Sequence, residues 1–122
     1  MNQGSIISAY KSLKKLAAQE LPIVYACRIH RLMVSLRPAY DFQVEEEEKL
    51  LRKMNPSVLG DGNLQFSTVE DAQEFKARMK EITDMEVDDI EVKPITIPIM
   101  TNANLTANDI DALDGFVEFV ET

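Results

Sequence analysis

Cys27 and His30 are the only cysteine and the only histidine of the chain, and they lie three residues apart. In a helix, side chains at this spacing share one face, which suits two metal ligands or a thiol with its base. A structural zinc ion needs four ligands, and a catalytic thiol needs a third group to orient its base. We therefore interpret Cys27 as a small buried residue and His30 as a helix-surface residue.

Carboxylates could bind a hard cation in residues 84–91 and at the start of the last predicted helix. The first stretch carries five acids but lacks the order of an EF-hand, with its glycine at the sixth and its glutamate at the twelfth loop position. In the second, Asp109, Asp111 and Asp114 are favourable to the helix dipole. We interpret both stretches, and the run Glu45–Glu48, as solvated faces and expect no metal ion.

The chain has no recognisable catalytic motif. The loop Gly60–Asp61–Gly62 lacks the lysine and the following helix of a phosphate-binding loop. The six methionines are interpreted as core residues, with Met33 and Met54 on the long helix as alternative contacts for a partner. We therefore predict a protein that is not an enzyme and has no catalytic residue, no cofactor and no small-molecule substrate.

Length and composition are those of a soluble globular protein. The 122 residues suffice for one domain, 1–122, with 45% hydrophobic and 28% charged residues. No apolar run approaches the roughly 20 residues of a membrane helix, and the first residues lack the apolar stretch of a signal peptide. A single cysteine fits a reducing compartment. We expect a cytoplasmic protein with no membrane partner.

The net charge of −8 is distributed unevenly. Residues 1–54 carry nine lysines and arginines against six acids, whereas residues 55–122 carry four against fifteen. The overall field repels phosphate, which argues against nucleic acid as a partner. We expect the two halves to attract each other, or a homologous neighbour, by charge.

Apolar spacing predicts two helices in the first half of the chain. The first spans 5–19 with Ser5 as its N-cap, and the second spans 22–54 with Pro22 in its first turn. Pro38 lies inside the second helix, where it removes a backbone hydrogen bond at a cost of ~3 kcal/mol. Because the apolar stripe keeps its phase, we predict a kink at Pro38, with an interrupted helix as the alternative. Such a helix is ~45 Å long and protrudes unless something packs along it.

A tight turn then reverses the chain. Asp61–Gly62 predicts a β-hairpin over 58–66. Ser67 and Glu70 predict a capping box that opens a third helix over 68–83. The third helix should therefore run antiparallel to the second and form a long helical hairpin with it.

The last part combines an extended stretch and a helix. Residues 86–99 alternate apolar and polar side chains, but their two prolines exclude a central strand and predict an edge strand or strap. Thr106 to Asp109 should cap a last helix over 107–121. The predicted fold class is α+β, mostly α: a long helical hairpin with a short β-hairpin and an extended edge segment.

The motif Leu21–Pro22–Ile23 carries a resemblance to a known family. A short helix ending in lysines precedes it, and Tyr25–Ala26 and a charged amphipathic helix follow. From about Ser8 to the end, the order of elements resembles short proteins of unknown function encoded by tailed phages and prophages of Gram-positive bacteria, of the siphophage type. Pro38 departs from the family pattern, whose helix is unbroken there. The resemblance implies a phage or prophage origin and a structural or assembly role.

We hypothesise a non-enzymatic phage protein that acts through protein–protein contacts, in the host cytoplasm or incorporated in a virion. Its partner is a second copy, through a coiled-coil-like contact, or another phage or host protein. Two alternatives stay open: an acidic nucleic-acid mimic that inhibits a host DNA-binding protein, and a small DNA-binding regulator with a basic face in residues 11–37. The predicted partner interface is the apolar stripe of the long helix: Ile29, Leu32, Met33, Leu36, Tyr40 and Val44.

Overall fold

The computed structural model describes residues 1–99 and 104–121; residues 100–103 and 122 of the predicted domain lie outside the described residues. The described chain confirms the predicted α+β, mostly α class. Its elements, in chain order, are α1 (Gln3–Ala17), α2 (Ile23–Met54), β1 (Ser57–Val58), β2 (Leu64–Gln65), α3 (Val69–Asp84), β3 (Ile95–Pro98), α4 (Ala107–Ala112) and β4 (Val117–Val120).

Helix α1 begins two residues earlier than the sequence predicted. Asn2, not Ser5, is the N-cap, because the Asn2 side chain accepts a hydrogen bond from the Ser5 backbone N–H at 2.8 Å. Lys14 and Lys15 lie in the last turn, where positive charge is favourable to the helix dipole. The helix ends before Leu21–Pro22, as the restriction on residues preceding proline predicts.

Helix α2 runs through Pro38 as one continuous helix of 32 residues. The interrupted helix, which was the alternative to a kink, is therefore wrong. Its length is about 48 Å at 1.5 Å per residue. Asn55, with φ 46°, ends it in the left-handed conformation and donates its backbone N–H to the Leu51 carbonyl.

Helix α1 packs antiparallel on α2 and covers its apolar stripe. The Tyr10 and Tyr40 rings stack with centroids 4.4 Å apart. Buried Gln3 donates to the Ala39 carbonyl at 2.6 Å, next to Pro38. Leu113 and Phe116 close the same core from the far end of the chain. The core therefore joins the two ends of the sequence around the first half of α2.

The predicted helical hairpin is confirmed. Strands β1 and β2 pair antiparallel, with Val58 opposite Leu64, and α3 returns along α2. Lys53 contacts Glu74 at 3.0 Å and Glu46 contacts Arg78 at 3.5 Å, a register that only antiparallel helices give.

The predicted cap of α3 needs a correction. The N-cap is Thr68, whose side chain accepts from the Asp71 backbone N–H at 3.0 Å, rather than Ser67 in a box with Glu70. An N-cap side chain accepts from a backbone N–H of the first turn, and threonine is among the residues that do so. The helix therefore begins at Val69, one residue after the predicted start.

The predicted helix 107–121 is wrong in its second half. Thr106 caps this helix as predicted, and it forms a capping box with Asp109. However, α4 ends at Ala112, and Gly115 has φ +82°, which breaks the helix. The chain then forms β4, which pairs parallel with β3. Residues 117–120 therefore form a strand because β3 pairs with them, and no local sequence pattern indicates this partner. The predicted stretch 86–99 contains one strand, β3, at its end.

At Gly4, α1 lies very close to α3. A Cβ at Gly4 would lie 2.6 Å from Thr83 Cγ2, and the Thr83 hydroxyl is fixed by donating to the Met79 carbonyl at 2.8 Å. We expect Gly4→Ala to lower the free energy of unfolding by about 1–3 kcal/mol, despite the better helix propensity of alanine. Urea denaturation measures the change.

Thr83→Ser provides the control for this contact, because it removes Cγ2 and keeps the hydroxyl. The double variant with Gly4→Ala should recover most of the lost stability, giving a clear coupling energy in a double-mutant cycle. Additive effects of the two substitutions would show that the close approach is not the cause.

Candidate functional site

The predicted partner interface on α2 is part of the protein's own core. Ile29, Leu32 and Leu36 are 1%, 3% and 0% exposed, and Met33 and Tyr40 pack half-buried against them. Val44 is also half-buried. The prediction that this stripe is free for a partner is therefore wrong. The stripe does need a covering surface, but α1 supplies it within the same chain.

Cys27 and His30 do not form a buried site. Both are exposed on α2, so the prediction that Cys27 is buried is wrong. Cys27 precedes the buried Ile29 by two residues, which places it about 200° around the helix, on the opposite face. His30 is on the helix surface, as predicted.

The acidic stretch 84–91 has the solvated character that the sequence predicted. Asp88, Asp89 and Glu91 are exposed, as are Asp84 and Glu86. Among residues 1–99 and 104–121, no three cysteine, histidine, aspartate or glutamate side chains are grouped so that they could hold a metal ion. In the same residues, no helix combines the length and the apolar character that crossing a membrane requires.

Asp109 is buried, which corrects its interpretation as part of a solvated face. It is 6% exposed and accepts hydrogen bonds from Ser12 Oγ at 2.9 Å and from Lys15 Nζ at 3.2 Å. The Thr106 backbone N–H donates to the same carboxylate at 3.0 Å. Asp109 thus connects α4 to α1 across most of the sequence. Asp111 and Asp114 are exposed, as predicted.

These contacts stabilise the ionised form of Asp109. The hydrogen bond from the Thr106 backbone lowers the pKa of Asp109 most, against the opposing effect of burial. The Ser12 and Lys15 side chains lower it further, to about 2 from the ordinary 3.8. This carboxylate therefore holds α4 on α1, and these contacts explain its burial and its lowered pKa.

The basic face of residues 11–37 is partly used within the fold. Lys14 Nζ lies 3.1 Å from the Tyr40 hydroxyl and 4.5 Å from the centre of its ring. Arg28 donates to the Thr96 carbonyl at 2.8 Å. A hydrogen bond with Tyr10 raises the pKa of Arg37. These cations therefore form contacts within the fold that connect α1, α2 and β3.

The far end of the helical hairpin carries an exposed apolar groove. Helix α1 reaches α2 as far as Gln43 and Glu47, where Gln3 and Ile7 face it. Beyond this point the end of α2 and the β1–β2 hairpin surround a groove of about 330 Å³. We call its apolar lining the arm tip, which consists of Leu51, Pro56, Val58 and Leu64.

The same end of the helical hairpin also contains packed side chains. Met54 is buried, and the Phe66 and Phe75 rings lie with centroids 5.2 Å apart. Val58, in contrast, is 71% exposed, and both short strands are exposed along their length. Sequence reasoning predicted this hairpin but assigned no function to it. The available signal was the pair of apolar residues Val58 and Leu59 in a hairpin too short to bury them.

A comparison of the chain with protein families, with curated proteins and with solved structures finds no match. The candidate site is therefore defined by its geometry alone.

Proposed function

We propose that this chain is a non-enzymatic protein that acts by binding other proteins, as a structural or assembly protein of a tailed phage or prophage. The observation that supports this most is the arm tip, an apolar groove at the end of α2, which is about 48 Å long. Apolar side chains that a fold leaves exposed together are typical of protein-binding surfaces.

The arm tip has the composition of a binding site for an apolar segment of another protein. Leu51 and Pro56 form half-buried walls, Val58 is open to solvent, and the charged side chains of Glu48 and Arg52 flank the groove. A partner that inserts an apolar side chain would desolvate the groove, and the two charges at its rim would select its orientation.

The phage origin rests on the resemblance around Leu21–Pro22–Ile23. In this proposal the protein acts in the cytoplasm of a bacterial host, or is incorporated in a virion. Both locations give the arm tip access to phage-encoded proteins.

Photo-crosslinking at the arm tip tests this proposal. A photoreactive phenylalanine analogue at Val58 should give one discrete adduct in phage-producing cells, mapping by mass spectrometry to a phage protein. The same analogue at Val34, which is 46% exposed in the middle of α2, is the control and should not give that adduct. Identical adducts from both positions, or none from Val58, would contradict the arm tip as the binding site.

Val58→Asp should remove this adduct from a second crosslinking position at Leu59, without unfolding the protein. Val58 is 71% exposed, so its replacement should change the free energy of unfolding by less than about 0.5 kcal/mol. Val34→Asp serves as the matched surface charge. Chemical denaturation of both variants checks that a lost adduct reflects a lost contact.

An acidic mimic of nucleic acid is the second candidate. The exposed carboxylates Asp88, Asp89 and Glu91 follow one another along one segment, and no basic side chain of residues 1–99 or 104–121 forms an ion pair with them. This function requires a basic host partner whose affinity falls steeply as salt rises. A partner whose affinity is the same at low and high salt would exclude it.

A further inference from the structure

The two-stranded sheet of β3 and β4 has two different edges. The Ile95 N–H donates to the Phe116 carbonyl at 3.0 Å, and the Ile99 N–H donates to the Val120 carbonyl at 2.7 Å. In a parallel ladder with this register, alternate residues of each strand bond to the partner and the others point away. Residues 94, 96 and 98 therefore form one free edge, and residues 117, 119 and 121 form the other.

The edge of β3 is closed to further strands. Pro94 and Pro98 have no backbone N–H, and the carbonyl of Thr96 between them already accepts from Arg28 at 2.8 Å. Prolines and covering side chains are the usual means by which proteins block an edge strand.

The edge of β4 is open within the described residues. Val117 uses its N–H for the Leu113 carbonyl at 2.9 Å. The N–H and carbonyl of Phe119, and the N–H of Glu121, have no backbone partner in residues 1–99 and 104–121. In this part of the chain, β3 is the one helix or strand that packs closely along β4. An open edge beside a closed one gives the sheet a single direction in which to grow.

We propose that two copies of the chain pair through this edge, β4 against β4 in antiparallel orientation, about a twofold axis at Phe119. On this axis the N–H and carbonyl of Phe119 bond to the same groups of the second copy. The Glu121 N–H reaches the second copy's Val117 carbonyl, which accepts from no backbone N–H of residues 1–99 and 104–121. The result is one continuous four-stranded sheet, and a twofold axis makes each contact occur twice.

The side chains of β4 are compatible with this register. Glu118 lies opposite the second copy's Val120 on the outer face, so no carboxylate faces another directly. Half-buried Phe119 lies on the core face, beside its counterpart, where its exposed part becomes covered. Each copy carries a net charge of −8, so added salt should strengthen the dimer by screening repulsion.

This inference goes beyond the proposed function and is independent of the arm tip. Light scattering over a concentration series should give a dimer that strengthens with salt. Glu121→Pro removes the exposed edge N–H, and Val120 before it is already extended, as a residue preceding proline must be. Loss of this donor from both copies should weaken dimerisation about tenfold or more.

Glu121→Ala is the matched control, because it keeps the N–H and should dimerise at least as well as the unmodified protein. A monomer at every concentration and at both low and high salt would overturn the proposal, as would equal dimerisation of Glu121→Pro and Glu121→Ala. A dimer that is lost in Val58→Asp and kept in Glu121→Pro would show that the two copies meet at the arm tip, and it would overturn the pairing through β4.

Disulfide trapping tests the register even if the dimer is weak. Positions 118 and 120 form non-hydrogen-bonded pairs across the axis, with Cα atoms about 4.5 Å apart, close enough for a disulfide. In a Cys27→Ser background, the pair Glu118→Cys and Val120→Cys should give a covalent dimer on a non-reducing gel. Glu118→Cys alone should give far less, and equal yields would overturn the register.

Discussion

Leu36→Ala should lower the free energy of unfolding by about 2–5 kcal/mol. Leu36 is 0% exposed and belongs to the core that α1 and α2 share. Its truncation removes apolar contacts and leaves a cavity, because the surrounding helices are fixed by their other contacts and can relax only in part. Urea denaturation, with the slope of the transition checked against the unmodified protein, measures the loss.

Val34→Ala is the control for this prediction. Val34 lies two residues away on the same helix and is 46% exposed, so its truncation should change the free energy of unfolding by less than about 0.5 kcal/mol. If Leu36→Ala left stability unchanged but dissociated an oligomer, Leu36 would be an intermolecular contact. The covering role assigned to α1 would then be wrong.

Asp109→Ala should be the second strongly destabilising change. The substitution removes the acceptor of Thr106, Ser12 and Lys15 together, so it opens the capping box of α4 and leaves the buried Ser12 hydroxyl without its partner. We expect a clear shift of the urea midpoint to lower concentration. Asp111→Ala, at an exposed carboxylate on the same helix, should leave the midpoint unchanged.

The contribution of Asp109 should also depend on pH with a defined sign. Its pKa is lowered to about 2 in the folded protein, so folding favours the ionised carboxylate. The stabilisation is fully present above the unfolded pKa of about 4 and is lost as the pH falls towards 2.

Thermal unfolding at a series of pH values measures this effect. The difference in stability between the unmodified protein and Asp109→Asn should be largest above pH ~5 and should shrink towards pH ~2. The subtraction removes the contributions that the two proteins share and so isolates Asp109. A difference that stays constant over this range would contradict the lowered pKa.

The sequence predicted the helices best where local chemistry alone decides them. The long apolar stripe gave α2 to within one residue, and the tight turn at Asp61–Gly62 gave the direction of α3. A cap at Thr106 was also predicted and is present. In each case the residues that determine the element are neighbours in the chain.

The sequence failed where a distant segment decides the outcome. Val117, Phe119 and Val120 fit a helix or a strand. The strand forms because β3, some twenty residues earlier in the chain, pairs with this segment. In the sequence, Asp109 cannot be distinguished from an exposed acid at the start of a helix. Its contacts with Ser12 and Lys15 form only in the folded protein. Its burial therefore depends on contacts between the two ends of the chain.

The candidate site divides in the same way. The sequence by itself determined that α2 has an apolar stripe and that a short hairpin follows it, because periodicity and turn chemistry are local. Only the tertiary structure decided that α1 covers this stripe, which turned the predicted interface into core. It also decided that no other part of the described chain covers the arm tip or the β4 edge. The reason is physical: spacing says which side chains share a face, but burial depends on which distant segment packs against that face.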